Sequence, residues 1–160
     1  MKLSQGIEWT IHACVNLAWL PPGTAVPVTR LAEFHELPSA YLNKHLQALA
    51  HHGVVASRPG PRGGFLLARP ADEIAVLDIV DAIEGPAPAF RCTEIRRQGP
   101  LPASRQDCRV PCEIATVMRN AEQAWRDELA ATTIAAIADD VARRHPKVPD
   151  KVRGWFLGTG

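Results

Sequence analysis

Apolar residues recur every three or four positions in several stretches, which predicts a mostly helical chain. The first helical stretch runs from Leu3 to Leu20 and ends at Pro21-Pro22-Gly23. Two shorter stretches follow, Val28 to Leu37 and Ala40 to His52, and the break between them places Ser39 as the cap of the second. Two short helices joined by such a turn predict a helix-turn-helix unit.

A β-hairpin is predicted directly after this unit. The strands Val54 to Ser57 and Phe65 to Ala68 flank the segment RPGPRGG at positions 58–64. Its glycines allow close approach to a phosphate backbone, and its arginines supply positive charge. The hairpin is therefore interpreted as the wing of a DNA-binding domain, with Lys44 and His45 facing outward from the recognition helix. The predicted DNA-contacting residues are Ser39, Tyr41, Lys44, His45, Arg58, Arg62, Gly63 and Gly64.

Two further helical patterns follow the wing. Ile74 to Ile83 predicts a short helix, and Cys112 to His145 predicts one long helix with more apolar surface than a single helix can bury. A second copy of the chain is the natural partner for that surface, which predicts a homodimer. The expected fold class is mainly α with a small β-hairpin wing, a winged helix-turn-helix plus a long dimerisation helix. The expected divisions are a DNA-binding domain (1–85), a loop (86–112), the dimerisation helix (113–145) and a Pro/Gly-rich tail (146–160).

Composition and charge favour a folded, polyanion-binding protein over a membrane protein or an enzyme. Hydrophobic residues make up 46% of the chain, enough for a substantial core, and the net charge is +1. Basic residues outnumber acidic ones between Val28 and Arg69, which favours a polyanion as the partner of this part. The absence of a transmembrane-length run or signal-peptide pattern predicts a cytoplasmic protein with no membrane partner. Nothing orients a Cys–His pair for catalysis, so an enzyme is not expected.

Three of the four cysteines, Cys92, Cys108 and Cys112, lie in or next to the predicted loop. In a reducing compartment such residues are more often ligands or redox sensors than structural disulfides. Cys108 and Cys112 meet the predicted start of the long helix, whose partial positive charge favours thiolates, so the loop is interpreted as part of a metal or Fe–S site. Zinc is less favoured, because no second Cys/His pair follows at finger spacing. Cys14, within an apolar stripe, is predicted to be a core residue.

Glu8 and His12 are four residues apart on the first helix and therefore share a face. An ordinary surface pair has the same spacing, so the spacing alone leaves their role open.

Taken together, these motifs resemble the Rrf2 family of bacterial transcription regulators, over about residues 1–140. The resemblance implies dimeric winged-helix repressors or activators, many of which hold an Fe–S cluster in the loop before the dimerisation helix. The motifs that carry it include Met1-Lys2-Leu3-Ser4, Leu31-Ala32-Glu33, Ser39-Ala40-Tyr41-Leu42, Gly53-Val54-Val55, Gly63-Gly64-Phe65 and Ile79-Val80-Asp81-Ala82-Ile83-Glu84-Gly85.

Three further motifs look like the RsrR-type redox sensors within that family. They are Ile7-Glu8-Trp9-x-x-His12, the segment Cys92 to Arg96, and the Cys108/Cys112 pair. This resemblance implies a [2Fe–2S] cluster held by Cys108 and Cys112 of one subunit and by Glu8 and His12 of the other. It leaves Cys92 as a spare thiol and makes Cys92 and Trp9 candidates for redox coupling.

The function implied is that of a redox-sensing homodimer, a repressor, on near-palindromic double-stranded DNA. One alternative is a nitric-oxide-sensing regulator with a [4Fe–4S] cluster on Cys92, Cys108, Cys112 and Glu8. The other is a regulator with a thiol or zinc switch and no cluster.

Overall fold

The computed structural model describes residues 3–61 and 63–158, which form seven α-helices and one two-stranded antiparallel sheet. The predicted fold class, mainly helical with a hairpin wing, is confirmed. No helix within these two ranges is long and apolar enough to span a bilayer. The elements are α1 Gln5–Ala18, α2 Val28–Phe34, α3 Ser39–His51, β1 Val55–Arg58, β2 Gly64–Leu67, α4 Val76–Glu84, α5 Glu113–Ala131, α6 Ile134–Arg144 and α7 Val148–Leu157.

The main core lies where α1, α3, α4 and α6 meet. Its apolar side chains follow the helical period, as Leu42, Leu46 and Leu49 do along α3. Cys14 belongs to this core and is fully buried, which confirms its predicted role. Burial raises the pKa of the Cys14 thiol to about 12, so this cysteine stays protonated and unreactive at neutral pH.

The turn between α2 and α3 differs from the prediction at its last residue. α3 begins at Ser39, and Pro38 occupies the capping position. The Pro38 carbonyl accepts hydrogen bonds from the amides of Tyr41 and Leu42, at 3.1 and 3.0 Å. The predicted Ser39 cap is therefore wrong by one residue, because the fixed φ of proline already suits a helix start.

The wing is held to the domain at its base. β1 and β2 pair in register from Val55 opposite Leu67 to Arg58 opposite Gly64. Phe65 exchanges backbone hydrogen bonds with Val26, at 2.8 and 2.9 Å, so the hairpin is tied to the segment that precedes α2. This attachment fixes the direction in which the hairpin tip points.

The single helix predicted from Cys112 to His145 is wrong, because the chain forms α5 and α6 with a break between them. Thr132 and Thr133 have extended backbones, and the Thr132 carbonyl accepts a hydrogen bond from Val76 N at 2.9 Å. Thr133 then caps α6 by accepting a hydrogen bond from Ala136 N at 3.1 Å. Apolar spacing continues on both sides of the break, so periodicity alone did not reveal it.

The tail predicted at 146–160 is largely helical. Within it, α7 runs from Val148 to Leu157, with Pro149 in its first turn, where a missing amide proton costs little. Pro149 and Val152 are buried, and Phe156 packs against the main core. The segment is therefore a docked helix.

α5 buries its C-terminal half and leaves apolar surface uncovered at its N-terminal half. Trp125 and Leu129 pack on Ile7, Val76 and Val80. The exposed apolar side chains around its start are Val110 (69% exposed), Ile114 (68%), Val117 (65%) and Met118 (40%). The spacing of Ile114, Val117 and Met118 places them along one stripe of the helix, and Val110 lies in the loop just before Cys112.

Candidate nucleic-acid interface and metal centre

The recognition helix α3 presents Tyr41 and Lys44 on its exposed face, as predicted, with Ser39 half-buried at its start. The opposite face carries Leu42 and Leu46 into the core. Exposed hydroxyl and ammonium groups on one helix face are the kind of side chains that contact phosphates and base edges.

His45 does not lie on that face, which corrects the prediction that it faces outward. It is 8% exposed, and its Nε2 has no hydrogen-bond partner. Burial, together with the neighbouring Lys44 charge, lowers the pKa of His45, so the ring is neutral at pH 7. His45 is three residues after the buried Leu42, so the helical period places it on the inward face.

The His45 ring fills the space that a side chain at Gly6 would need. A Cβ at Gly6 would come within 2.4 Å of His45 Nε2. The Tyr41 ring packs against His45 with centroids 4.7 Å apart, which restricts the space into which the imidazole could turn. The contact joins the recognition helix directly to α1.

We expect Gly6→Ala to destabilise the chain by about 1–3 kcal/mol, because the new methyl group overpacks the α1–α3 contact. The sign of the change in the free energy of unfolding is informative, since helix propensity alone favours alanine over glycine by about 1 kcal/mol. Thermal and denaturant unfolding measure that free energy, and Gln5→Ala, at an exposed neighbouring position on α1, is the control. The double variant Gly6→Ala/His45→Ala should recover much of the loss. A Gly6→Ala chain as stable as the control contradicts the contact.

In the wing, Arg58 is exposed and its Nη1 donates a hydrogen bond to the Gly23 carbonyl at 3.0 Å. A Cβ at Gly63 would lie 2.2 Å from the Arg58 carbonyl oxygen, and one at Gly64 would lie 2.2 Å from the Val26 backbone. Both glycines are therefore required by the packing of the wing, whatever they contact in DNA. The predicted contact Arg62 lies outside the residues that the structure describes.

The three loop cysteines line a single pocket of about 290 Å³, together with Glu94 and Arg119. The Cys112 sulfur occupies the capping position of α5 and accepts a hydrogen bond from Ala115 N at 3.4 Å. The start of the helix thus stabilises negative charge on this sulfur. Cys108 and Cys112, which the sequence predicted to face one point near the start of this helix, both line this pocket.

Arg96 binds Glu94, one of the residues that line this pocket, and was not identified from the sequence. Its guanidinium forms a bidentate ion pair with Glu94, at 2.6 and 2.9 Å, and donates a hydrogen bond to the Val110 carbonyl at 3.1 Å. The Arg96 charge lowers the pKa of Glu94, while Glu94, Cys108 and Cys112 raise the pKa of Arg96. A cation near both thiols offsets negative charge there. Its signal in the sequence is an arginine two residues after an acid in a Pro-rich loop.

Glu8 and His12 are exposed on α1 and line a shared pocket, as the shared helix face predicts. A second pocket, of about 210 Å³, has both residues in its lining together with Trp9, His35 and Leu37. A carboxylate and an imidazole facing one open space can bind one metal ion, with ligand positions left over.

His35, at the end of α2, is a neighbour of this pair that sequence spacing could not reveal. Its ring centroid lies 5.4 Å from that of His12, and its Nε2 is 3.0 Å from the Asn16 side-chain nitrogen. An amide nitrogen donates, so His35 Nε2 accepts and the ring is neutral. Burial and the nearby His12 lower the pKa of His35, in agreement with that tautomer.

In the part of the chain that the structure describes, the two pockets lined by Glu8 and His12 contain none of the loop cysteines. Among residues 3–61 and 63–158, no group of three or more His, Cys, Asp or Glu side chains is arranged to hold a metal ion. These residues thus present two separate and incomplete sets of candidate ligands, one with carboxylate and imidazole donors and one with thiols.

Comparison with protein-family models places residues 3–140 of the chain in the Rrf2 model, described as an iron-dependent transcriptional regulator. An HTH-type transcriptional regulator of Mycobacterium tuberculosis is 31% identical over 145 residues, which cover 91% of this chain and 86% of that protein. The HTH-type transcriptional regulator IscR of Cronobacter sakazakii is 30% identical over 92 residues, 58% of this chain and 57% of IscR.

Solved structures resemble the fold over most of its length. CymR, the global cysteine regulator of B. subtilis, superposes with a TM-score of 0.67 at 23% identity, covering 88% of this chain and 98% of CymR. IscR of T. potens superposes with a TM-score of 0.66 at 23% identity, covering 91% of each chain. At 23% identity, these superpositions show the fold alone.

Proposed function

Because the chain belongs to the Rrf2 family of transcriptional regulators, we propose that it is a homodimeric repressor whose DNA affinity is set by a shared [2Fe–2S] cluster. Each cluster is held by Cys108 and Cys112 of one subunit and by Glu8 and His12 of the other. This arrangement is the RsrR type within the family.

The observation that carries this proposal is the pair of incomplete ligand sets. Two thiols around the start of α5 and a carboxylate–imidazole pair on α1 supply four donors, the number that two tetrahedral irons need beside two bridging sulfides. The exposed apolar stripe on α5 starts beside Cys112, so a second copy docked there lies next to the thiols.

The donor chemistry fits such a cluster. When bound, the cluster supplies a one-electron redox centre, and replacing thiolate donors by imidazole raises its potential. The Cys112 sulfur accepts a hydrogen bond from Ala115 N at the helix start, and the positive charge of Arg96 interacts with both thiols. His12 and Glu8 stay accessible on the face of α1.

α1 is also the element that connects the ligand pair to the DNA reader. Trp9 lies next to Glu8, and its ring makes an edge contact with Tyr41 of the recognition helix, with centroids 5.5 Å apart. Gly6 packs against His45 on the same helix. We propose that a change at Glu8 or His12 reaches α3 through these contacts. Trp9 and Cys92 are proposed as the residues whose conformation or oxidation state follows that of the cluster.

The DNA contacts proposed are those of a winged helix. Ser39, Tyr41 and Lys44 on α3 face the major groove, and the wing with Arg58, Gly63 and Gly64 approaches the flanking backbone. Arg62 is proposed as a further wing contact from the sequence alone. His45 is proposed to support α3 from its buried side, where it packs against Gly6. In a dimer, two such units read a near-palindrome.

Anaerobic purification and DNA binding test the proposal together. We expect a coloured protein with equal iron and sulfide, and a DNA affinity that changes reversibly between the oxidised and the dithionite-reduced protein. The probe is a duplex selected from a random pool by the oxidised chain. A coloured protein whose affinity is the same in both redox states contradicts redox control.

The shared pocket of Cys92, Cys108 and Cys112 favours two alternatives. A [4Fe–4S] cluster using Glu8 as fourth ligand gives about four irons per site and reacts with nitric oxide. A thiol or zinc switch gives a colourless protein, with bound zinc or a disulfide, whose DNA affinity responds to zinc or thiol oxidants. The metal and sulfide counts separate the three cases.

A further inference from the structure

We infer that α7 positions the helix-turn-helix for DNA binding, with Trp155 as the positioning residue. α7 lies beyond residues 3–140, the range that the family model covers. The inference rests on DNA binding and is independent of any cluster.

α2 is too short to hold its own position. It has seven residues, and only Leu31 and Ala32 of these are buried in the core. A helix of this length is unstable alone in water and depends on the surfaces packed around it. The short turn after α2, in which Leu37 N donates to the Ala32 carbonyl at 2.8 Å, makes the start of α3 follow α2.

α7 covers the part of α2 that the core leaves open. The Phe34 ring meets the Trp155 ring edge-on with centroids 5.0 Å apart, and stacks on Phe156 at 5.1 Å. The Arg30 guanidinium lies 3.9 Å above the Trp155 ring and donates a hydrogen bond to the Trp155 carbonyl at 2.9 Å. Aromatic and cation–π contacts of this kind stabilise the packing of one helix on another.

α7 is anchored to the rest of the domain as well. Arg153 donates a hydrogen bond to the Trp19 carbonyl, at the end of α1, at 3.4 Å. Two residues of α7 itself, Pro149 and Val152, are buried. α7 therefore bridges the end of α1 and the outer face of α2, and holds α2 at a fixed angle.

The Arg30 contacts indicate that α7 positions α2 and does not itself contact DNA. Arg30 donates from Nη1 to Glu33, at 2.9 Å, and from Nη2 to the Trp155 carbonyl, so its guanidinium is directed at partners within the chain. Arg58 is exposed on the wing, where its Nη1 donates to the Gly23 carbonyl. Loss of the α7 contacts should weaken DNA binding without removing a phosphate contact.

The test uses the full chain and the variants Trp155→Ala, Trp155→Phe, Leu157→Ala and Arg58→Ala. The probe is a duplex selected from a random pool by the wild-type chain. We expect Trp155→Ala to bind about tenfold more weakly, with an unchanged salt slope, and Trp155→Phe to recover most of the affinity. Arg58→Ala should lower the salt slope by about one. Leu157, exposed on the same helix, is the matched control and should behave as wild type.

Amide hydrogen exchange provides a readout that needs no DNA. Trp155→Ala should speed exchange in α2 and the first turn of α3, and leave α5 unchanged. Wild-type exchange in α2 overturns the inference, as does tighter DNA binding, which would mean that α7 restrains α2 from its DNA-binding position. A reduced salt slope overturns it too, because the variant would then have lost a phosphate contact. If the wild-type chain selects no duplex, DNA binding fails, and the exchange rates still decide the role of α7.

Discussion

Replacing Glu8 and His12 together by alanine is expected to abolish cluster assembly, and so is replacing Cys108 and Cys112. Each double variant removes one of the two ligand sets, and the two ligands that remain are too few for the four terminal positions of the two irons. Iron and sulfide counts and the visible absorption of anaerobically purified protein measure the loss. Cys92→Ala is the matched control, since the [2Fe–2S] assignment leaves this thiol unused.

The two double variants also test whether the site is shared. A heterodimer purified with two different tags, one on each variant chain, has one intact site formed from the remaining halves. It should recover about half of the wild-type iron content, because one of two symmetric sites is complete. A heterodimer without iron contradicts sharing between subunits. Loss of iron in Cys92→Ala would instead support the [4Fe–4S] alternative.

Val117→Glu is expected to convert the dimer into a monomer. Val117 is 65% exposed in the single chain and lies at the middle of the α5 stripe. A carboxylate buried at that position in a dimer, without a partner, weakens association by about a thousandfold or more. Sedimentation equilibrium measures the mass, and far-UV circular dichroism checks that the monomer keeps its helices.

Thr116→Glu is the control for this variant, because Thr116 is exposed next to Val117 but off the apolar stripe. It should remain dimeric. The Val117→Glu monomer should also lose its iron, since the two ligand sets meet only across the interface. A dimeric Val117→Glu protein with full iron content would place the interface elsewhere.

Much of the DNA-binding unit followed from local patterns. The spacing of Leu42, Leu46 and Leu49 predicts the inward face of α3, and the glycines after Arg58 predict a tight hairpin. The same period places His45 inward. The outward position predicted for it is wrong, because the helical period, and not the polar side chain, determines the face on which it lies. A polar side chain at an inward position needs a neighbour that accommodates it, and here that neighbour is Gly6, which has no side chain.

The candidate ligand set was implied by the resemblance to the RsrR-type sensors, and the local spacing of each pair agrees with it. Glu8 and His12 are one helical turn apart, and Cys108 and Cys112 meet the start of one helix. Arg96 and His35 were missed because they reach these pairs across gaps of more than ten residues. The only local signal is the acid two residues before Arg96, and His35 has none.

The sequence by itself determined the elements: the helix-turn-helix, the hairpin wing, the cysteine loop and the apolar stripe of α5. These depend on side-chain period and turn chemistry, which act within a few residues. The tertiary structure alone decided that the long helix breaks at Thr132 and that α7 docks on Phe34. Both are contacts between residues far apart in the chain, and their free energy arises only when packing brings the two surfaces together.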